Sequence, residues 1–103
     1  MNETIGLKLI VIAEAGGLVV VRNTEYEDYY MLGNKSDFTQ STDVGVGDCG
    51  RGKTLLKIIK HYVRYFDNRG DSSRHLVTAE EDYSMAEAYS SLAVQLDEYL
   101  KTH

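Results

Sequence analysis

Three short apolar segments divided by turn residues occupy the first third of the chain, and they constrain its fold more than any other feature. Residues 4–14 and 18–22 are rich in β-branched side chains, and Gly16-Gly17 between them suits the positive φ angles of a tight hairpin turn. Asn23-Thr24 marks a second turn, and residues 25–32 form a third predicted strand. The economical interpretation is a three-stranded antiparallel meander.

The second half of the chain changes to helical periodicity. Residues 53–66 repeat apolar side chains on one helical face, and residues 78–101 repeat them at alternating spacings of four and three. Thr78 and Glu81 fit a capping box at the start of the second helix. We therefore predict a single α+β domain over residues 1–103, in which a three-stranded antiparallel β-meander is followed by two α-helices packed on one face (βββαα).

A glycine-rich connection, residues 33–52, separates the predicted sheet from the first helix, and a short extra strand at 44–46 is one interpretation of it. At its end, GDCGRGKT (47–54) satisfies the phosphate-loop pattern. A nucleotide hydrolase also needs a later strand that ends in a magnesium-binding acid, and no strand-like segment follows Phe66. We predict no catalytic residues and no nucleotide hydrolysis. The remaining alternative is phosphate or nucleotide binding at the loop 45–54, through its amides and Lys53.

The net charge of −5 conceals an uneven distribution. Residues 50–75 contain seven basic and two acidic residues, whereas the rest of the chain contains four basic and fourteen acidic ones. Helical spacing places the basic residues of segment 51–64 opposite the apolar face, where they suit a phosphate backbone or form only a solvated surface. The candidate nucleic-acid or anion-binding residues are Arg51, Lys53, Lys57, Lys60 and Arg64.

The first two strands carry apolar residues on both faces, although two helices can cover only one side of the sheet. An uncovered apolar face favours self-association, so we predict a twofold homodimer that buries these strands or the apolar stripe of the second helix. The alternative is that the 33–52 connection covers the second face. The candidate self-association residues are Ile10, Ile12, Val19, Val21, Met85, Tyr89, Leu92, Leu96 and Tyr99.

The remaining features concern the cellular location of the protein and its capacity to hold a metal or a cofactor. Cys49 is the only cysteine, and no apolar run is long enough for a membrane span, which predicts an intracellular, cytoplasmic protein. The three histidines lack metal-ligand spacing, so we expect no metal and no cofactor.

These features predict a small non-enzymatic binding or regulatory protein that acts through protein–protein contacts. Because acidic groups lie at 25–28, 80–82 and 97–98, one specific version of this prediction is an inhibitor that acts through an acidic surface. The alternatives are nucleic-acid binding through the basic helix 51–64 and anion binding at the loop 45–54.

Overall fold

The computed structural model describes residues 4–5, 9–40, 48–72 and 76–102. The strands are β1 (Thr4–Ile5), β2 (Leu9–Ala15), β3 (Leu18–Asn23), β4 (Tyr30–Asn34) and β5 (Cys49–Gly50), and the helices are α1 (Lys35–Gln40), α2 (Gly52–Ser72) and α3 (Leu76–Thr102). The strands form one antiparallel sheet in chain order. The predicted α+β fold, a meander followed by two helices packed on one face, is confirmed.

The Gly16-Gly17 turn between β2 and β3 has the predicted geometry. Ala15 pairs with Leu18 across it, and the two glycines have φ angles of 57° and 81°, a region that side chains with a Cβ rarely adopt. The turn therefore fixes the register of the two central strands.

The central strands send alternate residues to two apolar cores. On β3, Leu18 and Val20 join the core beneath α2 and α3, whereas Val19 and Val21 join a second core on the opposite face. A β-bulge in β2 places Ile12 and its neighbour Ala13 in the same helix-side core. Both faces of the sheet are thus buried within one chain.

The second face is covered by α1, which the sequence pattern did not predict. Phe38 from α1 is fully buried and packs with Leu9, Val11, Val19 and Val21. The structure therefore follows the alternative in which the 33–52 connection covers this face, and in the part of the sheet that the structure describes the apolar residues of this face are buried.

α3 also closes part of the outer edge of β2. The Gln95 side-chain amide donates a hydrogen bond to the Glu14 carbonyl and accepts one from the Glu14 N–H, each 3.1 Å long. An unpaired strand edge is a template for unwanted strand addition, and this two-bond clamp occupies it at Glu14.

Two predicted strands have different bounds. The segment predicted as one strand, 4–14, is two antiparallel strands, because Ile5 pairs with Leu9. The third strand begins at Tyr30 rather than at residue 25, because Asn23 organises a turn. Its side-chain oxygen accepts from the Glu25 N–H at 2.8 Å, and its own N–H donates to the Tyr29 carbonyl at 3.1 Å.

Both long helices extend beyond the predicted bounds. α2 continues six residues past Phe66, and its Gly70 lies so close to the Tyr83 ring that an added Cβ would stand 2.7 Å from Tyr83 Cε1. α3 begins at Leu76, two residues before the predicted cap at Thr78. The extra strand predicted at 44–46 lies outside the described residues. No helix in the described ranges is long and apolar enough to cross a membrane.

Candidate functional site

The first turn of α2, where the phosphate-loop pattern ends, already holds a carboxylate of the chain itself. The Gly52 N–H donates to Asp28 Oδ1 at 3.1 Å. Gly52 is buried against Leu100 and Tyr30, and a Cβ at this position would clash with the Leu100 side chain. The second glycine of the pattern is therefore required for packing, and Asp28 occupies a donor that a phosphate would use. Residues 45–47 of the candidate loop lie outside the described residues.

Replacing Asp28 by alanine is expected to lower the free energy of unfolding by about 1 kcal/mol, because a helix N-terminal donor loses its partner. Urea denaturation followed by circular dichroism measures the change. Glu27→Ala is the matched control, since Glu27 is an exposed neighbouring acid. Equal effects of the two substitutions would contradict the capping role of Asp28.

Asp48 joins the end of the 33–52 connection to both the sheet and α2. Its carbonyl accepts from the Leu32 N–H at 2.8 Å, and its Oδ2 accepts from the Tyr62 hydroxyl at 2.7 Å. The hydrogen bond to Asp48, assisted by burial, raises the pKa of Tyr62 to about 12. The Tyr62 hydroxyl is thus held protonated and in a fixed orientation.

The raised pKa of Tyr62 predicts a specific alkaline sensitivity. A tyrosine whose pKa is higher in the folded state than its unfolded value near 10 stabilises the fold below pH 10. This stabilisation is lost as the pH rises from about 10 to about 12. Tyr62→Phe should therefore flatten the loss of stability in this window, as measured by thermal unfolding at stepped pH. Tyr26→Phe, the same change on an exposed tyrosine, is the control substitution.

The outer face of α2 carries four of the predicted basic residues, Arg51 lies just before the helix, and all five are exposed. None of them lies in an ion pair among the residues that the structure describes. From Lys53 to Arg64 the stripe rises about 16 Å along the helix. We call Lys53, Lys57, Lys60 and Arg64 the basic ridge. The ridge separates two open apolar depressions, one on each flank of α2.

The first depression lies on the flank of α2 that carries Ile58, His61 and Tyr65 and has a volume of about 450 Å³. We call it the tyrosine pocket; it is lined by Lys57, Ile58, His61, Tyr62 and Tyr65. The Tyr62 wall is held by the bond to Asp48 and by stacking on Tyr89, with 5.0 Å between ring centroids. Tyr65 is 46% exposed, although the Arg69 guanidinium lies 5.5 Å from its ring centroid. The pocket thus combines a fixed aromatic wall, an accessible ring and a cationic rim.

The second depression lies between α2 and α3 on the side away from the sheet and has a volume of about 330 Å³. We call it the helix groove; it is lined by Lys60, Val63, Arg64, Ser90, Ala93, Val94 and Asp97. Its floor is aliphatic, and Val94 is 56% exposed. Its α2 rim is basic and its α3 rim carries Asp97, so the two rims have opposite charge.

In the part of the chain that the structure describes, the other candidate residues do not line the tyrosine pocket or the helix groove, and Met85 lines a separate open depression with Glu80, Glu81 and Ser84. Of the predicted self-association residues, Val19 and Val21 lie in the second core, and the remaining seven lie in or against the core beneath the helices. Cys49 is exposed on β5. In the described residues no group of three histidine, cysteine or acidic side chains is arranged to hold a metal ion.

Neither depression was predicted from the sequence, although Tyr62 and Tyr65 were recognised as aromatic residues near the basic stripe; Val94 was not among the candidate residues. Ile58 and Tyr65 share one flank of α2 at a spacing of seven residues, which was the available signal for the pocket. Models of known protein families, curated proteins and solved structures were compared with this chain, and none matches it.

Proposed function

We propose that the chain is a small non-enzymatic protein that binds a partner protein through the tyrosine pocket. The observation that carries this proposal is an open apolar pocket with a fixed aromatic wall and a cationic rim on a folded helix. Such a wall loses little conformational entropy when it is covered, because Tyr62 is already held by Asp48 and Tyr89.

The lining residues indicate the chemistry of the partner. An apolar or aromatic side chain of the partner suits the Ile58 and Tyr65 surfaces, and an adjacent carboxylate suits the Lys57 rim. Buried aromatic anchors supply much of the affinity of protein interfaces, whereas rim charges contribute orientation and association rate. The partner that we propose therefore presents an acidic surface with an exposed apolar anchor.

We place this interaction inside the cell and assign it a regulatory role. The sequence suggests one specific regulatory role, which is inhibition of the partner through the acidic surface of the chain. Its acidic groups are engaged in part within the fold: Asp28 with Gly52, Asp82 with Arg69 at 3.8 Å, and Asp97 with Lys101 at 3.1 Å. The pocket is for this reason the preferred binding surface, and regulation follows from occupying the partner's acidic surface.

Nucleic-acid binding through the basic ridge is the second candidate function. The observation in its favour is the exposed ring of Tyr65 on the same helix as the exposed side chains of Lys57, Lys60 and Arg64, since such rings stack on bases. The net charge of −5 opposes it, because acidic residues repel the phosphate backbone. If nucleic acid binds, neutralising Lys57 and Lys60 should weaken binding, and binding should fall steeply with added salt.

Affinity capture from nuclease-treated extract of cells that express the chain tests the proposal. A protein captured by the original chain is identified, purified and titrated against variants. Tyr65→Ala and Lys57→Glu should each weaken its binding at least about tenfold, the size typical of an interface hot spot. Tyr26→Ala, which removes an even more exposed ring from the β3–β4 turn, should have no effect. Equal binding by all variants would contradict the proposed pocket, and a protein captured only from extract that has not been treated with nuclease would favour nucleic acid.

A further inference from the structure

The helix groove has a charge pattern that matches a second copy of itself. Lys60 and Arg64 line its α2 rim, Asp97 lines its α3 rim, and aliphatic side chains form the floor between them. On the outer face of α3, Glu87 and Glu98 are also exposed and extend the acidic rim. A surface with one basic rim, one acidic rim and an apolar centre complements its own copy, provided that the symmetry brings unlike rims together.

Two twofold axes in the plane of such a contact keep the helices of the two copies aligned, and only one of them satisfies this condition. An axis parallel to α2 and α3 places the α2 rim of one copy over the α3 rim of the other. An axis in the same plane but perpendicular to the helices places basic rim over basic rim. Charge repulsion excludes that second arrangement. Since α2 and α3 of one chain are antiparallel neighbours, the favoured axis also makes each α2 antiparallel to the facing α3, as in an up-down four-helix bundle.

We propose that two copies of the chain associate through the helix groove, with the twofold axis parallel to α2 and α3. The exposed Val94 side chains and the Val63 floor form the apolar centre, and Lys60 and Arg64 face the acidic rim of the other copy. The Asp97–Lys101 pair does not compete strongly, because it joins two exposed side chains one helical turn apart. Charge and symmetry thus identify a second copy of the chain as the molecule that binds at the helix groove.

This dimer is independent of the proposed partner binding. The tyrosine pocket lies on the opposite flank of α2 and stays open in the arrangement described, so a dimer presents two pockets. It also differs from the self-association predicted from the sequence, because Leu92 and Leu96 are fully buried in the chain's own core and take no part.

A pair of charge-swapped variants tests the dimer. Lys60→Glu/Arg64→Glu makes both rims acidic, and Glu87→Lys/Asp97→Lys makes both rims basic. Mass is measured by light scattering at about 100 µM protein in about 50 mM salt, where surface charges are weakly screened. The original chain is expected to have twice the 11.6 kDa monomer mass. Each variant alone should be monomeric, and a 1:1 mixture of the two should again form a dimer.

Circular dichroism confirms that both variants are folded, which separates loss of association from loss of structure. A monomeric original chain under these conditions, variants that remain dimers, or folded monomeric variants whose mixture does not associate would each overturn the proposal. Val94→Asp provides a second test at the apolar centre and should abolish the dimer by itself.

Discussion

Replacing Phe38 by alanine is expected to lower the free energy of unfolding by about 3–5 kcal/mol, the range for truncating a fully buried aromatic side chain. Phe38 has no exposed surface and is the α1 residue that packs into the second core. Its removal leaves a cavity against Val19 and Val21, which otherwise have no contact with water. The variant should therefore also aggregate, because a two-sided sheet would then expose one apolar face.

Urea denaturation at a protein concentration that prevents aggregation measures this effect. Tyr26→Ala is the control, because Tyr26 is 60% exposed and its removal should change stability by less than about 0.5 kcal/mol. A loss smaller than about 1 kcal/mol for Phe38→Ala would show that α1 does not hold the second face closed. The uncovered face would then again favour self-association through the strands.

The second large effect is expected at Tyr89, which joins α3 to α2. Its ring stacks against both Tyr62 and Phe66, with centroid distances of 5.0 and 5.6 Å and interplanar angles of 24° and 8°. Burial raises the pKa of Tyr89, as expected for a hydroxyl partly withdrawn from water. Tyr89→Ala should lower the free energy of unfolding by about 3–5 kcal/mol, because both the buried ring and two stacking contacts are lost.

Tyr89→Phe is the matched variant and should change stability by less than about 1 kcal/mol, since it keeps the ring. The Tyr89→Ala variant also tests whether the aromatic stack organises the tyrosine pocket. Without the Tyr89 ring, Tyr62 loses the shortest of its ring contacts, so partner binding should weaken in any Tyr89→Ala protein that remains folded. A stable Tyr89→Ala variant with unaltered binding would show that the stack does not organise the pocket.

Much of this fold is predictable because its signals are local. The Gly16-Gly17 turn, the β-branched strands and the apolar face of α2 each follow from residues close together in the chain. Helix α1 was missed because it has six residues, and Phe38 is their one large apolar side chain, so no periodicity can be recognised. The continuation of α2 through Gly70 depends on the Tyr83 ring, a contact between different helices that local propensity does not contain.

The candidate site likewise contains features that local sequence signals predict and features that depend on distant residues. The basic ridge was predicted because helical spacing alone determines which residues share an outer face. The phosphate-loop pattern could not be interpreted fully from its own residues, because Asp28, which takes the Gly52 donor, lies 24 positions earlier in the chain. The tyrosine pocket was missed because its walls depend on Asp48 and on the Tyr89 stack, both outside the helix that carries the pocket.

Site-specific photo-crosslinking at three exposed positions tests the central claim, that α2 separates a partner-binding pocket from a self-association groove. A benzophenone amino acid replaces Tyr65 at the pocket, Val94 at the groove, or Tyr26 at the β3–β4 turn. After irradiation in cells, we expect the Tyr65 position to give a product with another protein and the Val94 position to give a product of twice the chain mass. The Tyr26 position should give neither. Indistinguishable products from all three positions, or products from the Tyr26 position alone, would contradict the account.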